Sequence, residues 1–226
     1  MQGPAPPPRA WRGRHWRDAE FAALDFETTG LDLRRDAVVS FGLVPVREAR
    51  VELAGALYRE VAPAIPPSHR SVTIHHLRPA DLADAPPLAD VASELAAGLD
   101  RRFLLTWSGG IEAAFLARTF GGRPRRWLHR TVDVLRLAVL TDRLEGLEEA
   151  PGSGGYTLVE AMARRGLPVE EAHDALNDAL MTAEMFLVLT ARLGPFGFGD
   201  VRSFLRPTLW SSDRAVRAVT RKRRRS

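Results

Sequence analysis

Two acidic residues, Asp25 and Glu27, stand two positions apart in a short apolar segment. Residues 21–27 have the length and composition of a buried strand, and the Thr-Thr-Gly that follows indicates a turn. Because side chains alternate along a strand, both carboxylates project from one face and Phe26 from the other. Unpaired charges in such a strand cost several kcal/mol each unless cations neutralise them. The alternative is a strand at the sheet edge, whose carboxylates reach solvent or pair with arginines.

Three further residues of the same chemical types lie much later in the chain. His173 precedes the first turn of the last long amphipathic segment, and Asp178 follows about one and a half turns later. Glu112 falls in the first turn of a helical segment at residues 110–119, where a carboxylate is favoured by the helix dipole and could act in a cap. Taken singly, each of these residues has a structural explanation as a residue of a helix start or of a solvated helix surface.

The elements that must position these residues differ between the two parts of the chain. Residues 37–46 and 50–61 are β-rich runs with a short connection, which favours an antiparallel meander. After Pro66 the pattern changes to alternating helical and strand-like segments. The helical patterns cover residues 90–99, 111–120 and 174–192, and the strand-like runs cover 103–107 and 131–134.

Two local signals support this division. Thr157 and Glu160 have the spacing of a capping box, which predicts a helix start, and Gly194 ends the last helical pattern. A meander followed by alternating strands and helices predicts an α/β domain with one mixed sheet flanked by helices.

Composition excludes several classes of protein and of site. The 226 residues are 45% hydrophobic and 27% charged, as expected for a soluble globular protein. The chain has no cysteine, which excludes a disulfide scaffold, a thiolate zinc site, an iron–sulfur cluster and a cysteine nucleophile. We find no run of about 18 apolar residues and no apolar signal core at the N-terminus. We therefore expect a cytoplasmic protein with no membrane partner.

The positive charge is concentrated at the two ends of the chain. Residues 1–17 carry four arginines and residues 214–226 carry seven basic residues, both without an acid, so the net charge of +4 leaves −7 for residues 18–213. The Pro-rich start predicts a flexible leader at residues 1–19. A folded domain at 20–193 and an extension at 194–226 follow, and the polybasic tail of that extension could bind phosphates.

In combination, these motifs resemble the DEDD-type 3′-to-5′ exonucleases, the family of the polymerase III epsilon proofreading subunit and of oligoribonuclease. The block Ala-Leu-Asp-Phe-Glu-Thr-Thr-Gly-Leu at residues 23–31 matches the opening motif of that family almost letter for letter. Residues 71–86 look like the segment after its third strand, and 131–133 like its later strand-to-helix junction. Residues 173–183 are similar to its last motif, in the DEDDh variant that uses histidine rather than tyrosine. The resemblance implies a ribonuclease H-like exonuclease fold over residues 21–193.

One block departs from the family pattern. Where the family has His-Asn-x-x-Phe-Asp, this chain has Trp-Ser-Gly-Gly-Ile-Glu at residues 107–112, followed by the expected Phe115 and Leu116. Glu112 keeps the charge of the usual aspartate but reaches one methylene further, which affects binding of a second metal ion. Trp107 could stack on a substrate base, although a tryptophan at the end of an apolar strand is more often a core residue.

The resemblance also implies a ligand set. Four carboxylates, without cysteine and with one histidine, suit two divalent cations, Mg²⁺ or Mn²⁺, rather than Zn²⁺. Asp25 would bridge the ions, Glu27 and Asp178 would hold one, and Glu112 would hold the other. His173 is the implied general base, since histidine accepts protons near neutral pH.

The implied activity is metal-dependent removal of nucleoside 5′-monophosphates from single-stranded 3′ ends, in DNA proofreading, repair or turnover. Backbone groups at Thr28 and Thr29 lie where the family seats the terminal nucleotide. Two alternatives stay open. The altered block at residues 107–112 favours a catalytically weakened module that binds a polymerase or a nucleotidyltransferase. The same site could instead serve an exoribonuclease, since discrimination depends on how the pocket meets the 2′-OH.

Overall fold

The computed structural model describes residues 3–147 and 156–209. The polybasic tail at residues 214–226 lies outside the described residues, and so do residues 148–155 of the polar segment between the predicted helices.

One mixed sheet organises the described residues. The strand order is β3-β2-β1-β5-β6, and β4 pairs with β2 beside β3. Strand β2 runs antiparallel to β1, β3 and β4, whereas β1, β5 and β6 run parallel to one another. This arrangement confirms the predicted meander joined to parallel strands. The strands are β1 (Phe21–Thr28), β2 (Val38–Arg47), β3 (Arg50–Val51), β4 (Leu57–Glu60), β5 (Phe103–Thr106) and β6 (Thr131–Asp133).

Helices cover both faces of this sheet. One apolar cluster includes side chains from α5, α6, α7 and α8, and the other includes side chains from α2, α3 and α4. The α-helices of the described residues are α1 (His69–His75), α2 (Leu88–Leu99), α3 (Gly109–Phe120), α4 (Pro124–Leu128), α5 (Val134–Leu144), α6 (Leu158–Arg164), α7 (Ala175–Leu193) and α8 (Val201–Leu209). The predicted flanked α/β sheet is therefore confirmed.

Strand β1 is buried on both faces because it lies between β2 and β5. Phe21 and Ala23 join the cluster on the α7 side. Ala22, Leu24 and Phe26 join the cluster on the opposite side. The alternation of a strand therefore directs Asp25 and Glu27 toward α7, the face that Phe21 and Ala23 share.

Two helix starts follow from local sequence. The Thr157 side chain accepts from the Glu160 N–H and the Glu160 carboxylate accepts from the Thr157 N–H, so the predicted capping box opens α6. Asp174 caps α7, where its carboxylate accepts from the N–H groups of Leu176 and Asn177. The aspartate beside His173 therefore fixes the first turn of the helix that carries Asp178.

Helix α7 is the longest of the described helices. Together with the turn that follows it, Ala175–Phe196 is long and apolar enough to cross a membrane by length and composition, and half of this segment is buried inside the protein. Phe186 and Leu189 are fully buried in the cluster on this face of the sheet. Packing against the sheet accounts for its apolar composition.

The leader differs from the flexible segment that the sequence predicts. Residues 9–13 and 16–18 form 3-10 helices, and Trp16 is 4% exposed, with its ring centroid 5.8 Å from that of Phe186 in an edge-to-face contact. The Ala5 N–H donates to Asp100 at 2.7 Å, and the Ala5 carbonyl accepts from the Arg101 N–H at 3.0 Å. A buried indole and main-chain hydrogen bonds hold this Pro-rich stretch in place. The division of the chain into domains stays a prediction.

Candidate active site

The first two acidic residues lie on a central strand, not on an edge strand. In the antiparallel pair, Asp25 of β1 faces Gly42 of β2, and Glu27 faces Ser40. Glu27 is only 9% exposed. No arginine or lysine of the described residues forms an ion pair with either carboxylate. The alternative of solvated or arginine-paired carboxylates at a sheet edge is therefore excluded.

The start of α7 approaches the sheet at the same point. A Cβ atom built on Gly42 would overlap the carbonyl group of Ala175 and the Cα of Leu176. Glycine therefore allows the first turn of α7 to lie directly against β2. This contact brings Asp178, one turn further along α7, over the face of the sheet that carries Asp25.

His173 holds a strained position just before this helix. Its φ of 65° lies in the left-handed region, which a residue with a side chain rarely adopts. Its backbone N–H donates to Asp178 Oδ2 at 3.3 Å. The imidazole is exposed, so the left-handed turn presents it at the rim of the carboxylate cluster.

The structure brings these residues into one cavity of about 480 Å³. Side-chain ligand atoms of Glu27, His173 and Asp178 all lie within 4.8 Å of one another. The predicted residues that line this cavity are Asp25, Glu27, Thr28, Trp107, Glu112, His173 and Asp178. Residues from β1, the end of β5, α3 and α7 therefore converge on a single site at the carboxyl ends of the parallel strands.

Glu112 enters this cavity from the first turn of α3. The N-cap residue Ser108 makes no side-chain capping bond, and Glu112 is 5% exposed. A Cβ atom on Gly109 would lie 3.0 Å from the Thr131 side chain and 3.1 Å from that of Thr106, which is closer than usual. The Gly109 N–H also donates to Asp133 Oδ2 at 3.4 Å. The first glycine of the divergent block therefore lets α3 begin close against the ends of β5 and β6.

Two effects raise the pKa values of the carboxylates. Burial removes the water that would solvate each charge, and neighbouring charges repel one another. Burial, with the nearby carboxylates of Asp178 and Asp174, raises the pKa of Asp25 to about 8. Burial and the Asp25 charge raise the pKa of Glu27 to about 9. Burial raises the pKa of Asp178 to about 6, although His173 opposes the shift. Burial and Asp25 also raise the pKa of Glu112 well above its ordinary value.

This donor set fits divalent cations. Glu112 Oε2 and Asp178 Oδ1 are buried, and neither finds a hydrogen-bond partner within the described part of the chain. Uncompensated carboxylates in a buried cluster are costly unless positive charge joins them. Hard oxygen ligands of this kind are those that Mg²⁺ and Mn²⁺ prefer.

Thr28 and Thr29 have different positions. Thr28 lines the cavity, and its hydroxyl donates to the Gly30 carbonyl at 2.7 Å. Thr29 is 1% exposed and is not among the residues of the cavity wall. Its hydroxyl donates to Asp36, and its carbonyl accepts from Ser71. In this structure Thr29 secures the turn after β1, and its contact with a nucleotide stays a prediction.

Several residues of the cavity wall are missed by sequence reasoning. Helix α1 contributes Arg70, Ile74 and His75, and the turn after β1 contributes Leu31, which is 73% exposed. His75 is 6% exposed, its Nδ1 accepts from the Leu77 N–H, and its Nε2 is without a partner among the described residues. Burial lowers the pKa of His75. The signal that could have placed α1 is Ser68, which caps this short helix through the Ser71 N–H.

Curated proteins include relatives of this chain at about 24% identity. The DNA polymerase III subunit epsilon of Treponema pallidum is 24% identical over 172 residues, which cover 76% of each chain. The PolC-type DNA polymerase III of Thermotoga petrophila is 24% identical over 172 residues, and the 3′-5′ exonuclease DinG of Staphylococcus saprophyticus is 23% identical over 175. The matched region spans only 12% of the polymerase and 18% of DinG.

Solved structures show the same fold. E. coli exonuclease I in complex with a dA16 oligonucleotide matches with a TM-score of 0.64 and 19% identity over 78% of this chain and 42% of that chain. Exonuclease X in complex with 5′ overhanging duplex DNA matches with a TM-score of 0.60 and 22% identity over 83% and 99%. These matches confirm the expected ribonuclease H-like exonuclease fold. The exonuclease family model RNase_T matches residues 22–186, which contain every residue of the carboxylate cluster. The chain therefore belongs to the RNase_T exonuclease family.

Proposed function

We propose that this protein is a metal-dependent 3′-to-5′ exonuclease that releases nucleoside 5′-monophosphates. The observation that carries the proposal is the convergence of Asp25, Glu27, Glu112 and Asp178, with His173 at the rim, in one cavity. In a two-metal phosphodiester hydrolase, such a cluster holds the cations that neutralise the phosphate charge. Membership in the exonuclease family supports the same reaction.

Two divalent cations, Mg²⁺ or Mn²⁺, would supply charge that stabilises the transition state and activates water. Asp25, on the central strand, would be a ligand of these cations. Glu27 and Asp178 would hold one ion, and Glu112 would hold the other. The unpartnered oxygens of Glu112 and Asp178 are free within the described residues to serve as ligands.

The side chains then act on the terminal phosphodiester. Water attacks phosphorus, the bond from phosphorus to the 3′ oxygen of the preceding nucleotide breaks, and the product keeps its 5′-phosphate. A ring nitrogen of His173 takes the proton of the attacking water, because the imidazole is exposed beside Glu27 and Asp178. The left-handed turn at His173 directs the imidazole toward the cavity, and a general base must be held in such a defined orientation.

Single-stranded 3′ ends are the proposed substrate. Exonuclease I and exonuclease X were solved with DNA, and this chain shares their fold. Leu31, Ile74 and Trp107 give the cavity apolar walls against which a base can pack, and exposed Arg70 offers a charge for a phosphate. Trp107 is half-buried and also contacts Tyr156, with ring centroids 6.2 Å apart, so its orientation is fixed.

We extend the proposal to a role in DNA proofreading, repair or turnover in the cytoplasm, with a polymerase as partner, because one relative is a subunit of DNA polymerase III. The alternative of an inactive binding module rests on the divergent block at residues 107–112. Burial of Glu112 inside the shared cavity argues against that alternative. An exoribonuclease remains the second candidate, since the same cluster serves either nucleic acid.

The test is degradation of 5′-labelled single-stranded DNA and RNA oligonucleotides with Mg²⁺, Mn²⁺ or EDTA. We expect a ladder that shortens from the 3′ end, requires the metal and disappears in Asp25→Asn. Shortening of RNA at a rate well above that of DNA would assign the exoribonuclease activity. A wild-type protein that binds Mn²⁺ but shortens neither oligonucleotide would overturn the proposal in favour of the binding module.

A further inference from the structure

A second, larger cavity of about 1200 Å³ lies at the opposite end of the sheet. Its walls come from the leader, from the end of α3, from α4 and the residues that lead into β6, and from the start of α8. The leader and α4 precede β1 and β6, so this cavity adjoins the amino ends of the parallel strands, whereas the carboxylate cluster lies at their carboxyl ends. The two cavities have no wall residue in common.

The wall of this second cavity is basic, whereas the wall of the first carries the carboxylates. Six side chains of its wall are basic: Arg9, Arg12, Arg126, His129, Arg130 and Arg202. Among the described residues, the wall contains no aspartate or glutamate. This concentration of cations is the more unusual because residues 18–213 carry a net charge of −7. We call this feature the arginine cavity.

Arg130 shows that this charge is built into the fold. It is 6% exposed, and its guanidinium donates to the carbonyls of Leu99 at 2.6 Å and Arg102 at 2.8 Å. Its Nε has no hydrogen-bond partner within the described residues. Burial and the neighbouring Arg126 charge lower the pKa of Arg130 to about 10, although Asp100 partly opposes the shift. Arg126 and Arg130 therefore repel each other, and Arg130 lacks an acceptor for its Nε among the described residues.

The wall is also held in place. Arg12 donates to the His129 carbonyl at 2.8 Å, and Arg130 stacks 5.0 Å from the centroid of the Trp127 ring. The Pro-rich stretch that includes Pro4, Pro6 and Pro7 closes one side. Three prolines and the main-chain hydrogen bonds of Ala5 limit the conformations of this side. A ligand therefore meets two cations, Arg12 and Arg130, that protein contacts already hold in place.

We propose that the arginine cavity binds phosphate groups, supplied by a nucleic-acid strand or by free phosphate, at a site separate from the carboxylate cluster. Guanidinium groups match phosphate oxygens in geometry and charge, and arginine binds them by paired hydrogen bonds. A bound phosphate would relieve the repulsion between Arg126 and Arg130. Membership in a family of nucleases makes phosphate the anion that this protein meets. The proposal does not depend on catalysis, because the site contains none of the carboxylate ligands.

The first experiment measures binding of a fluorescein-labelled oligothymidylate by anisotropy in EDTA, over a series of salt concentrations. The test variant is Arg9→Ala/Arg126→Ala, since both side chains are exposed and their removal leaves the core intact. The matched control is Arg50→Ala, an exposed arginine of β3 outside the wall of the cavity. We expect the test variant to bind more weakly and to reduce the slope of log affinity against log salt by about 1.4, for two lost phosphate contacts.

The second experiment titrates inorganic phosphate into the same three proteins by calorimetry, again in EDTA. Loss of oligonucleotide binding alone assigns the cavity to a nucleic-acid strand, whereas loss of phosphate binding assigns it to a free phosphate ligand. A second variant, Arg9→Ala/Arg202→Ala, must reproduce the effect, and circular dichroism must show all variants folded. If neither ligand distinguishes the test variants from Arg50→Ala, the proposal is overturned, and the cavity instead fits an acidic segment of a protein.

Discussion

Gly42 lies opposite Asp25 in the pair of β1 and β2, and its missing side chain is what lets α7 begin against the sheet beside that carboxylate. The same contact therefore sets the distance between the carboxylates of the strand and Asp178 of the helix. A position with no chemistry of its own controls the geometry of the cluster.

Gly42→Ala should consequently damage both stability and activity. The added methyl group meets backbone atoms of Ala175 and Leu176, which cannot move without shifting the start of α7. We expect a loss of about 1–3 kcal/mol in the free energy of unfolding, as for overpacked cores, together with a lower kcat. Urea denaturation and oligonucleotide cleavage measure the two effects. Gly13→Ala is the control because a Cβ there meets no atom within 4 Å. Equal behaviour of the two variants would refute this role of Gly42.

Glu112 should control the metal requirement. Glu112→Ala removes a buried carboxylate, so we expect activity to fall by more than about 100-fold at low metal concentration. A residue that only supports a metal ligand typically costs up to about 100-fold when it is lost. Glu112→Asp keeps the charge and should preserve or raise activity with Mg²⁺, which demands a more regular coordination than Mn²⁺. The measurement is oligonucleotide cleavage by each variant as a function of Mg²⁺ and of Mn²⁺ concentration. Wild-type cleavage by Glu112→Ala at every metal concentration would remove Glu112 from the ligand set.

His173→Ala should lower kcat by about 10²–10⁴-fold, the usual contribution of a general base. The reduction should be smaller at high pH, where hydroxide replaces the missing base. The control is His69→Ala, an exposed histidine at the start of α1 that is not part of the cavity wall. A pH profile of kcat that keeps its shape in His173→Ala would mean that His173 only positions α7.

The metal-free protein should lose stability as pH rises. The folded-state pKa values of Asp25 and Glu27, about 8 and about 9, lie above the ordinary values of 3.8 and 4.5. The folded state therefore holds these protons more tightly than the unfolded state. The contribution of these two groups to the free energy of unfolding is fully present below about pH 4 and is lost as pH rises toward 9. In EDTA, Glu27→Gln should raise Tm at pH 8 and should have little effect at pH 4. Mg²⁺ or Mn²⁺ should raise the Tm of wild type at pH 8. A wild-type Tm that rises from pH 5 to 9 in EDTA would contradict this expectation.

Loss of a buried ion pair outside the carboxylate cluster should lower the free energy of unfolding. Arg165 and Asp142 lie 2.5 Å apart with side chains 3% and 1% exposed, and the Tyr156 hydroxyl donates to the other Asp142 oxygen at 2.8 Å. Arg165→Ala leaves a buried carboxylate without its partner, which costs about 3–5 kcal/mol. Arg78→Ala, which breaks an exposed pair with Asp81, should cost less than about 1 kcal/mol. Urea denaturation of both variants provides the comparison.

Sequence predicts the strand and the chemistry of the site better than it predicts the contacts between distant segments. The alternation in β1 places Asp25 and Glu27 on one face, and the motif around His173 places Asp178 in the first turns of α7. The approach of Gly42 to Ala175 joins residues more than a hundred positions apart, and nothing near Gly42 indicates it. Ala5 likewise reaches Asp100 across 95 positions, so the ordered leader is invisible to patterns read within a local window.

Above the raised pKa values of Asp25 and Glu27, about 8 and about 9, the carboxylates at one end of the parallel strands and the arginines at the other give the described part of the molecule an electric dipole moment along the sheet. A polyanion that approaches from solution is drawn toward the arginine pole, and free divalent ions toward the opposite pole. When ions occupy the carboxylates, that pole loses its negative potential and ceases to repel a nucleic-acid strand. This electrostatic preference fades with added salt, because charges are screened over about 8 Å at physiological ionic strength.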